Sequence, residues 1–354
     1  MLSAFKRHHA PPYLRHLLRS RIFSTGISDK SDPIRSDPPP IRIAHTSSAG
    51  RGVFATRAIT AGDTIHSAKP LVTHPSLSRL HEVCYYCLRR KKGEDGVDTG
   101  GYYFCSDSCR ENSMAFHEVE NRGDWSMLNE YCRSRGLKYP LMVKRLACMV
   151  LGGAVSSDCL DILQPTSLHF EMLLEMEDEY KLLRSSFKKA NIADEAMAFL
   201  SKEWYINVLA RLRVNAFRIE LACGSYEDLL ASAVALVGDD AAVGNAVYIV
   251  SSFYNHDCDP NAHIVWVDSA DAKMKALRHI EEGKELRICY IDASMDVEAR
   301  QKILLEGFGF HCNCLRCLYG RLVKSKMTQT GLLSATCVLQ FRSQKKAQSE
   351  VGCT

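Results

Sequence analysis

Three thiols near the C-terminal end, Cys312-x-Cys314-x-x-Cys317, have the spacing of metal ligands but cannot close a tetrahedral site alone. A structural zinc takes four ligands, so a fourth must be drawn in from elsewhere in the chain. Cys258 is an unpaired candidate. It sits in Asn255-His256-Asp257-Cys258-Asp259-Pro260-Asn261, after the apolar run Ala246-Val247-Tyr248-Ile249-Val250 and before the alternating Ala262-His263-Ile264-Val265-Trp266-Val267. A stretch this rich in Asn, Asp and Pro continues neither neighbour; it makes a tight polar turn at the exit of a buried segment. A site of Cys258, Cys312, Cys314 and Cys317 would fasten that turn to the C-terminal segment. Between them lies Glu285-Leu286-Arg287-Ile288-Cys289-Tyr290-Ile291-Asp292, a strand pattern that runs into a tyrosine.

A second cysteine set stands earlier: Cys84-x2-Cys87-x17-Cys105-x3-Cys109, with Tyr102-Tyr103-Phe104 leading into its second pair. Two cysteine pairs at this separation are a zinc signal. The chain holds 15 cysteines, grouped at ligand spacings rather than spread as a disulfide framework. That grouping indicates about two zinc ions in a reducing compartment. A hydrophobic content of 46% and a net charge of +4 over 354 residues are ordinary for a globular chain and weak grounds for an acidic partner. No apolar run reaches the ~18 residues of a spanning helix. The basic run Arg89 to Lys92 is too short to imply nucleic-acid recognition.

Before Asp29 the chain carries Lys6, Arg7, Arg15, Arg19 and Arg21 and no acidic residue, with Leu14, Leu17 and Leu18 on one side of a short helix. This is the pattern of an organelle transit peptide, mitochondrial before plastid; a basic tail and a nuclear location are the alternative. Ser28 to Pro40 reads as a linker. From Ile41 the folded part begins. Val53 to Ala55, a turn at Ala61-Gly62-Asp63, and Thr64 to His66 predict a hairpin. The pattern Ala55-x-Arg57-x-Ile59-x-x-Gly62-x-x-Ile65 recurs as Ala276-x-Arg278-x-Ile280-x-x-Gly283-x-x-Leu286, which predicts two similar hairpins in a β-rich core. Residues 127–238 carry apolar spacings of three to four and predict helices. Leu318 to Thr354, rich in Ser, Gln and Lys, predicts little fixed structure.

The order Asn-His-x-Cys-x-Pro-Asn, a strand ending in Tyr, then Cys-x-Cys-x-x-Cys closely resembles the catalytic end of SET-domain protein lysine methyltransferases. Gly50-Arg51-Gly52-Val53-Phe54-Ala55 is similar to that family's first cofactor-binding turn. The early cysteine set resembles the MYND finger of the SMYD branch, reduced to one zinc: the intervening loop lacks a second Cys pair, and Asn121 stands four residues after His117. His117 is therefore expected on a helix surface. Among such proteins the small trithorax-related plant SET proteins match best. The resemblance implies an α+β fold, a β-rich SET core split by a zinc finger and a helical insertion. Its expected parts are a leader and linker (1–40), an N-terminal SET half (41–80), a one-zinc finger (81–125) and a helical insertion (126–214). A C-terminal SET half (215–295), a post-SET zinc segment (296–318) and a tail (319–354) follow.

The resemblance also implies S-adenosylmethionine as cofactor, which carries chemistry no side chain supplies. The implied substrate is a protein with a target lysine, a histone or an organelle protein. Free lysine has a pKa of about 10.4, so a desolvated channel beside the sulfonium must favour the neutral amine. Tyr290 would be the catalytic residue, its hydroxyl orienting amine and methyl. Arg51, Gly52, Val53, Phe54, Asn215, Asn255, His256, Tyr290 and Phe310 would hold the cofactor, with Phe310 on the adenine. Tyr248 and Phe308 would line the channel. Asn215 has an open alternative, a buried amide satisfied by backbone, and so has Phe308, packing under the cysteine cluster. Asp257 replaces the usual Ser and either faces the sulfonium or solvent. A non-catalytic binding module is the second reading; a DNA-binding finger lacks the necessary His pair and recognition helix.

Overall fold

The computed structural model describes residues 38–91, 96–99, 101–222 and 242–322. Its first strands are β1 (Ile41–His45), β2 (Arg51–Ala55), β3 (Thr64–Ala68) and β4 (Val72–Pro75). The short pair β5 (Val97–Thr99) and β6 (Tyr102–Phe104) follows, then five helices. These are α1 (Asp107–Glu120), α2 (Ser126–Arg135), α3 (Tyr139–Leu151), α4 (Phe170–Lys189) and α5 (Lys202–Asn215). Then come β7 (Ala216–Ile219), β8 (Gly244–Val247), β9 (Asn255–His256), β10 (Ala262–Trp266), β11 (Ala272–Ala276), β12 (Glu285–Ile288) and α6 (Val297–Phe308). The α+β fold is thus three small sheets, ordered β1-β2-β12-β9, β10-β11-β3 and β4-β8-β7, with a helical insertion between β6 and β7 and the β5-β6 ribbon beside it.

The two echoed segments do not form the two hairpins that their sequences predict. Each strand pairs with the other copy instead: β2 with β12 (Val53↔Leu286) and β3 with β11 (Met274↔His66). The turns exchange bonds in the same way. Gly62 N–H donates to Ala276 at 2.8 Å and Gly283 N–H to Ala55 at 2.9 Å, while Ile59 and Ile280 bridge symmetrically. Both glycines sit at positive φ, 86° and 78°, which an L side chain resists. Cross-pairing buries Val53, Ile59, Ile65, Ala276, Ile280 and Leu286 in one core. Burial, acting between distant segments, overrides the local turn preference.

The insertion is helical only as far as Asn215; the predicted helix beyond it is replaced by β7, and residues 223–241 lie outside the described set. Ser201 caps α5 by accepting from Trp204 N–H at 3.1 Å, and Gly136 ends α2 at φ 64°. The predicted linker is partly fold: Thr56 N–H donates to the carbonyl of buried Pro40 at 3.0 Å. Helical structure also continues over 315–322, past the expected start of the tail, while 323–354 and the whole leader to residue 37 lie outside the described residues. Among the described residues no helix is long and apolar enough to cross a membrane.

Candidate active site and metal centres

Cys258, Cys312, Cys314 and Cys317 converge, with all four sulfurs within 4.8 Å of one another. Cys258 lies 3.5 Å from Cys317 and 3.9 Å from Cys312, bracketing the ~3.8 Å expected between thiolates on a tetrahedral zinc. The surroundings suit a dianionic metal–thiolate group. Buried Arg300 points Nη2 at the Cys317 sulfur from 3.7 Å, and Arg316 donates to the Cys258 carbonyl at 2.9 Å. Gln301 clamps Cys312 at both backbone groups, N–H at 3.0 Å and carbonyl at 2.7 Å.

This cluster sits under Tyr290. The parallel pairing of β9 with β12 (Ile288↔His256) ends where the Asp257 N–H donates to the Ile288 carbonyl at 2.9 Å. Tyr290 follows, and its backbone N–H donates to His256 Nδ1 at 3.1 Å. Its hydroxyl donates to the Tyr254 carbonyl at 2.6 Å. The ring is enclosed by Phe308 (5.0 Å), His256 (5.3 Å) and Phe310 (6.5 Å). Burial, with Glu285 behind it, raises the phenol above its ordinary value, so the hydroxyl stays protonated and acts as an oriented dipole. Burial likewise holds His256 down to about 4 despite Asp257 beside it.

On the other side of β12, Asn255 Nδ2 donates to Glu285 Oε1 at 2.7 Å and to the Arg51 carbonyl at 3.1 Å. Gly52 lies against this pair: a Cβ there would meet Glu285 Oε1 at 2.7 Å and Asn255 Nδ2 at 3.0 Å. Arg287 binds Glu285 Oε2 through Nε at 2.8 Å and faces Asp257 at 3.6 Å. The extra acid of the turn is therefore matched by a guanidinium, and it also caps the Asp259 N–H at 2.9 Å. Arg51 reaches the Ile162 carbonyl of the insertion and covers the Phe253 ring at 4.7 Å. An amide, a carboxylate and a guanidinium beside a backbone stripped of side chain suit the amino-acid end of a cofactor.

Cys84, Cys87, Cys105 and Cys109 form the second group, also within 4.8 Å, with 3.5 Å from Cys105 to both Cys87 and Cys109. Ser106 caps α1 by accepting from Cys109 N–H at 3.2 Å, which fixes the fourth thiol on the helix's first turn. His117 is not the surface histidine expected. It is 3% exposed, inside a cage of Tyr85, Tyr102, Phe104 and Phe116 with ring centroids 5.4–6.5 Å away. Aromatic packing thus surrounds a position that the family pattern gives to a metal ligand. Beside it Glu120 accepts from Tyr85 at 2.8 Å and faces Lys144 (3.5 Å) and Arg145 (3.4 Å), all three charges buried. Arg145 donates onward to the carbonyls of Thr73 (2.7 Å) and Tyr85 (3.0 Å), bolting finger, α3 and β4 together.

The model of the SET domain matches residues 50–291. The chain belongs to the SET-domain family. Histone-lysine N-methyltransferase ATXR4 of Arabidopsis thaliana is 57% identical over 295 residues, 83% of this chain and 91% of that protein. A SET and MYND domain-containing protein of Dictyostelium discoideum is 27% identical over 73% of this chain and 78% of its own length. A solved structure, the SET domain of LSMT bound to lysine and AdoHcy, aligns over 85% of this chain and 56% of that one at 11% identity, with a TM-score of 0.37.

Within this SET domain some expected residues fall elsewhere. Tyr248 is fully buried in a second core cluster, its hydroxyl donating to the Ala270 carbonyl and accepting from Trp266 at 2.9 Å. With no exposed surface it lines no channel; the tyrosine beside Tyr290 is Tyr254, reached through its carbonyl. Asn215 commits both amide hydrogens at 2.8 Å to the carbonyls of Gln164 and Arg211, the backbone-satisfied alternative. Phe54 carries the Arg42 guanidinium over its ring at 5.1 Å, and Val53 is core. Phe308 touches both Tyr290 and the cysteine cluster, so its two readings describe one location. Glu285, Arg287, Arg300 and Tyr254 carry no sequence signal that marks them for the site. An acid two residues before an Arg in a strand is a common surface pattern, and only the fold turns it inward.

Proposed function

We propose that this chain is an S-adenosylmethionine-dependent protein-lysine N-methyltransferase with Tyr290 as the catalytic residue. The observation that carries it is the clamp on Tyr290, its hydroxyl fixed at Tyr254 and its ring walled by Phe308, Phe310 and His256 above the cysteine cluster. The 57% identity to a protein described as a histone-lysine N-methyltransferase supports the same reading.

S-adenosylmethionine, when bound, supplies a sulfonium methyl that passes to the lysine nitrogen as the C–S bond breaks, and the amine's proton leaves to solvent. Asn255, through its amide oxygen and backbone, and the backbone of Arg51-Gly52 would receive the amino-acid end, and Phe310 would pack on the adenine. The aromatic wall excludes water, which favours the neutral amine. The Tyr290 hydroxyl and the Tyr254 carbonyl orient the amine. The protonated phenol makes Tyr290 an orienting dipole rather than a base. Each cysteine cluster would hold one zinc with a structural role.

The substrate is a protein lysine, on a histone or on an organelle protein. The acid-free N-terminus favours an organelle pool, mitochondrial before plastid, with the nucleus as the alternative. A fluorescent fusion of residues 1–40 tests this: organelle entry abolished by Arg15, Arg19 and Arg21 changed together to Glu supports it, and diffuse or nuclear fluorescence overturns it. For the activity, labelled cofactor with organelle and nuclear extracts should label protein lysine. Absence of cofactor binding by calorimetry would return the chain to the binding-module reading.

A further inference from the structure

We propose that His256 is a positioning residue that transmits the state of the Cys258 cluster to Tyr290. The residue is 7% exposed and its imidazole spans the two groups: Nδ1 lies 3.1 Å from the Tyr290 backbone nitrogen and Nε2 lies 3.2 Å from the Cys258 sulfur. The first contact fixes the tautomer. A backbone N–H needs an acceptor, so Nδ1 is bare and the ring proton sits on Nε2, aimed at sulfur. A metal-bound thiolate is a charged acceptor and holds that N–H far better than a neutral thiol does. The strand ladder stops just before Tyr290, because Asp257 N–H takes the Ile288 carbonyl and no strand partner takes the Tyr290 N–H. A side chain therefore replaces the ladder at the residue that bears the orienting hydroxyl. The phenol end is held by the Tyr254 carbonyl, two residues before His256. One short segment grips Tyr290 at both ends, and its register rests on the sulfur. Loss of zinc at this cluster would weaken the Nε2–H bond and release Tyr290.

The inference deepens the methyltransferase reading in one arm of its test and stands apart from it in the other. Asn and Gln each keep half of the imidazole's bonding. His256→Asn places a carboxamide oxygen near Nδ1, preserving the acceptor for Tyr290; His256→Gln places an N–H near Nε2, preserving the donor to Cys258. In the cobalt(II)-substituted protein, the sulfur-to-cobalt charge-transfer bands should shift in His256→Asn and stay near wild type in His256→Gln. Turnover at saturating cofactor and substrate should fall in both by about 10–100-fold, the usual cost of an outer-shell partner, with cofactor affinity little changed. Long-range proton–nitrogen NMR of the wild-type zinc protein should show His256 protonated on Nε2, and that measurement decides the matter if either variant fails to fold. An Nδ1-protonated ring, or charge-transfer bands unmoved in both variants, overturns the proposal. If the wild type transfers no methyl group to any lysine, the functional reading fails, while the cobalt and NMR arms still decide the bond.

Discussion

The two clusters each gather four cysteine sulfurs within 4.8 Å, yet they join different things. Next to the early cluster, Arg145 and its buried partners Glu120 and Lys144 fasten the finger to the helical insertion and to β4. The late cluster faces His256, Arg300, Phe308 and Tyr290, so it is one wall of the reactive site. The difference teaches that a zinc's role is set by what its ligands' neighbours touch. One cluster should govern stability and the other chemistry.

The largest effect should therefore come from removing the late metal. Cys258→Ser or Cys314→Ser should each lower zinc from two per chain to one, by elemental analysis, and reduce turnover below about 1% of wild type. Cys105→Ser should also remove one zinc, but the fraction that folds should retain turnover. Unchanged zinc in Cys258→Ser would break the ligand assignment, and equal loss of turnover in both sets would erase the contrast.

The comparison sharpens at Glu120. Removing it by Glu120→Ala leaves Lys144 and Arg145 buried without their carboxylate, a loss of about 3–5 kcal/mol in denaturant unfolding. Glu130→Ala, which loses only the exposed pair with Arg133, should cost no more than about 1 kcal/mol. Similar values for both would mean that the knot does not hold the finger side.

A pH effect of comparable or smaller size belongs to the site side. Burial holds His66, whose Nε2 lies 3.0 Å from the Tyr254 hydroxyl, down to about 4. Its folded pKa is below the unfolded value of about 6.5, so its contribution is complete above pH 6.5 and is lost as pH falls toward 4. The loss amounts to at most about 3 kcal/mol. Zinc release occurs in the same acid range, so the measurable quantity is the difference between wild type and His66→Gln. Parallel stability curves for the two would contradict it.

The smallest effect is on product rather than rate. Phe308 lies 5.0 Å from the Tyr290 ring and carries no hydroxyl to fix a water beside the amine. We expect di- or trimethylation, with Phe308→Tyr shifting the products toward monomethyl by mass spectrometry. An unchanged distribution removes Phe308 from the channel.

These contrasts also mark what could be read from the chain itself. The two cysteine sets were legible from ligand spacing and are brought together as expected, whereas roles for the Asn-His turn and Tyr290 came only through the resemblance to a known family. Strand pairing was not legible: each echoed segment carries its own turn glycine, and only burial of Ile59 against Ile280 decides for the crossed arrangement. Tyr248 and Tyr254 both follow apolar or small residues, and sequence does not say which presents a group to Tyr290. The burial of His117 is not legible locally, because its aromatic cage comes from three separate segments.

The central claim is that Tyr290, clamped over the late cluster, directs methyl transfer to lysine. Its most direct test is transfer of labelled methyl from S-adenosylmethionine to protein lysine by wild type and Tyr290→Phe, with cofactor affinity measured alongside. The account predicts lysine labelling by wild type, a loss on the order of 10²-fold in Tyr290→Phe, and cofactor affinity nearly unchanged. Equal labelling by both proteins, or no cofactor binding by wild type, would contradict it.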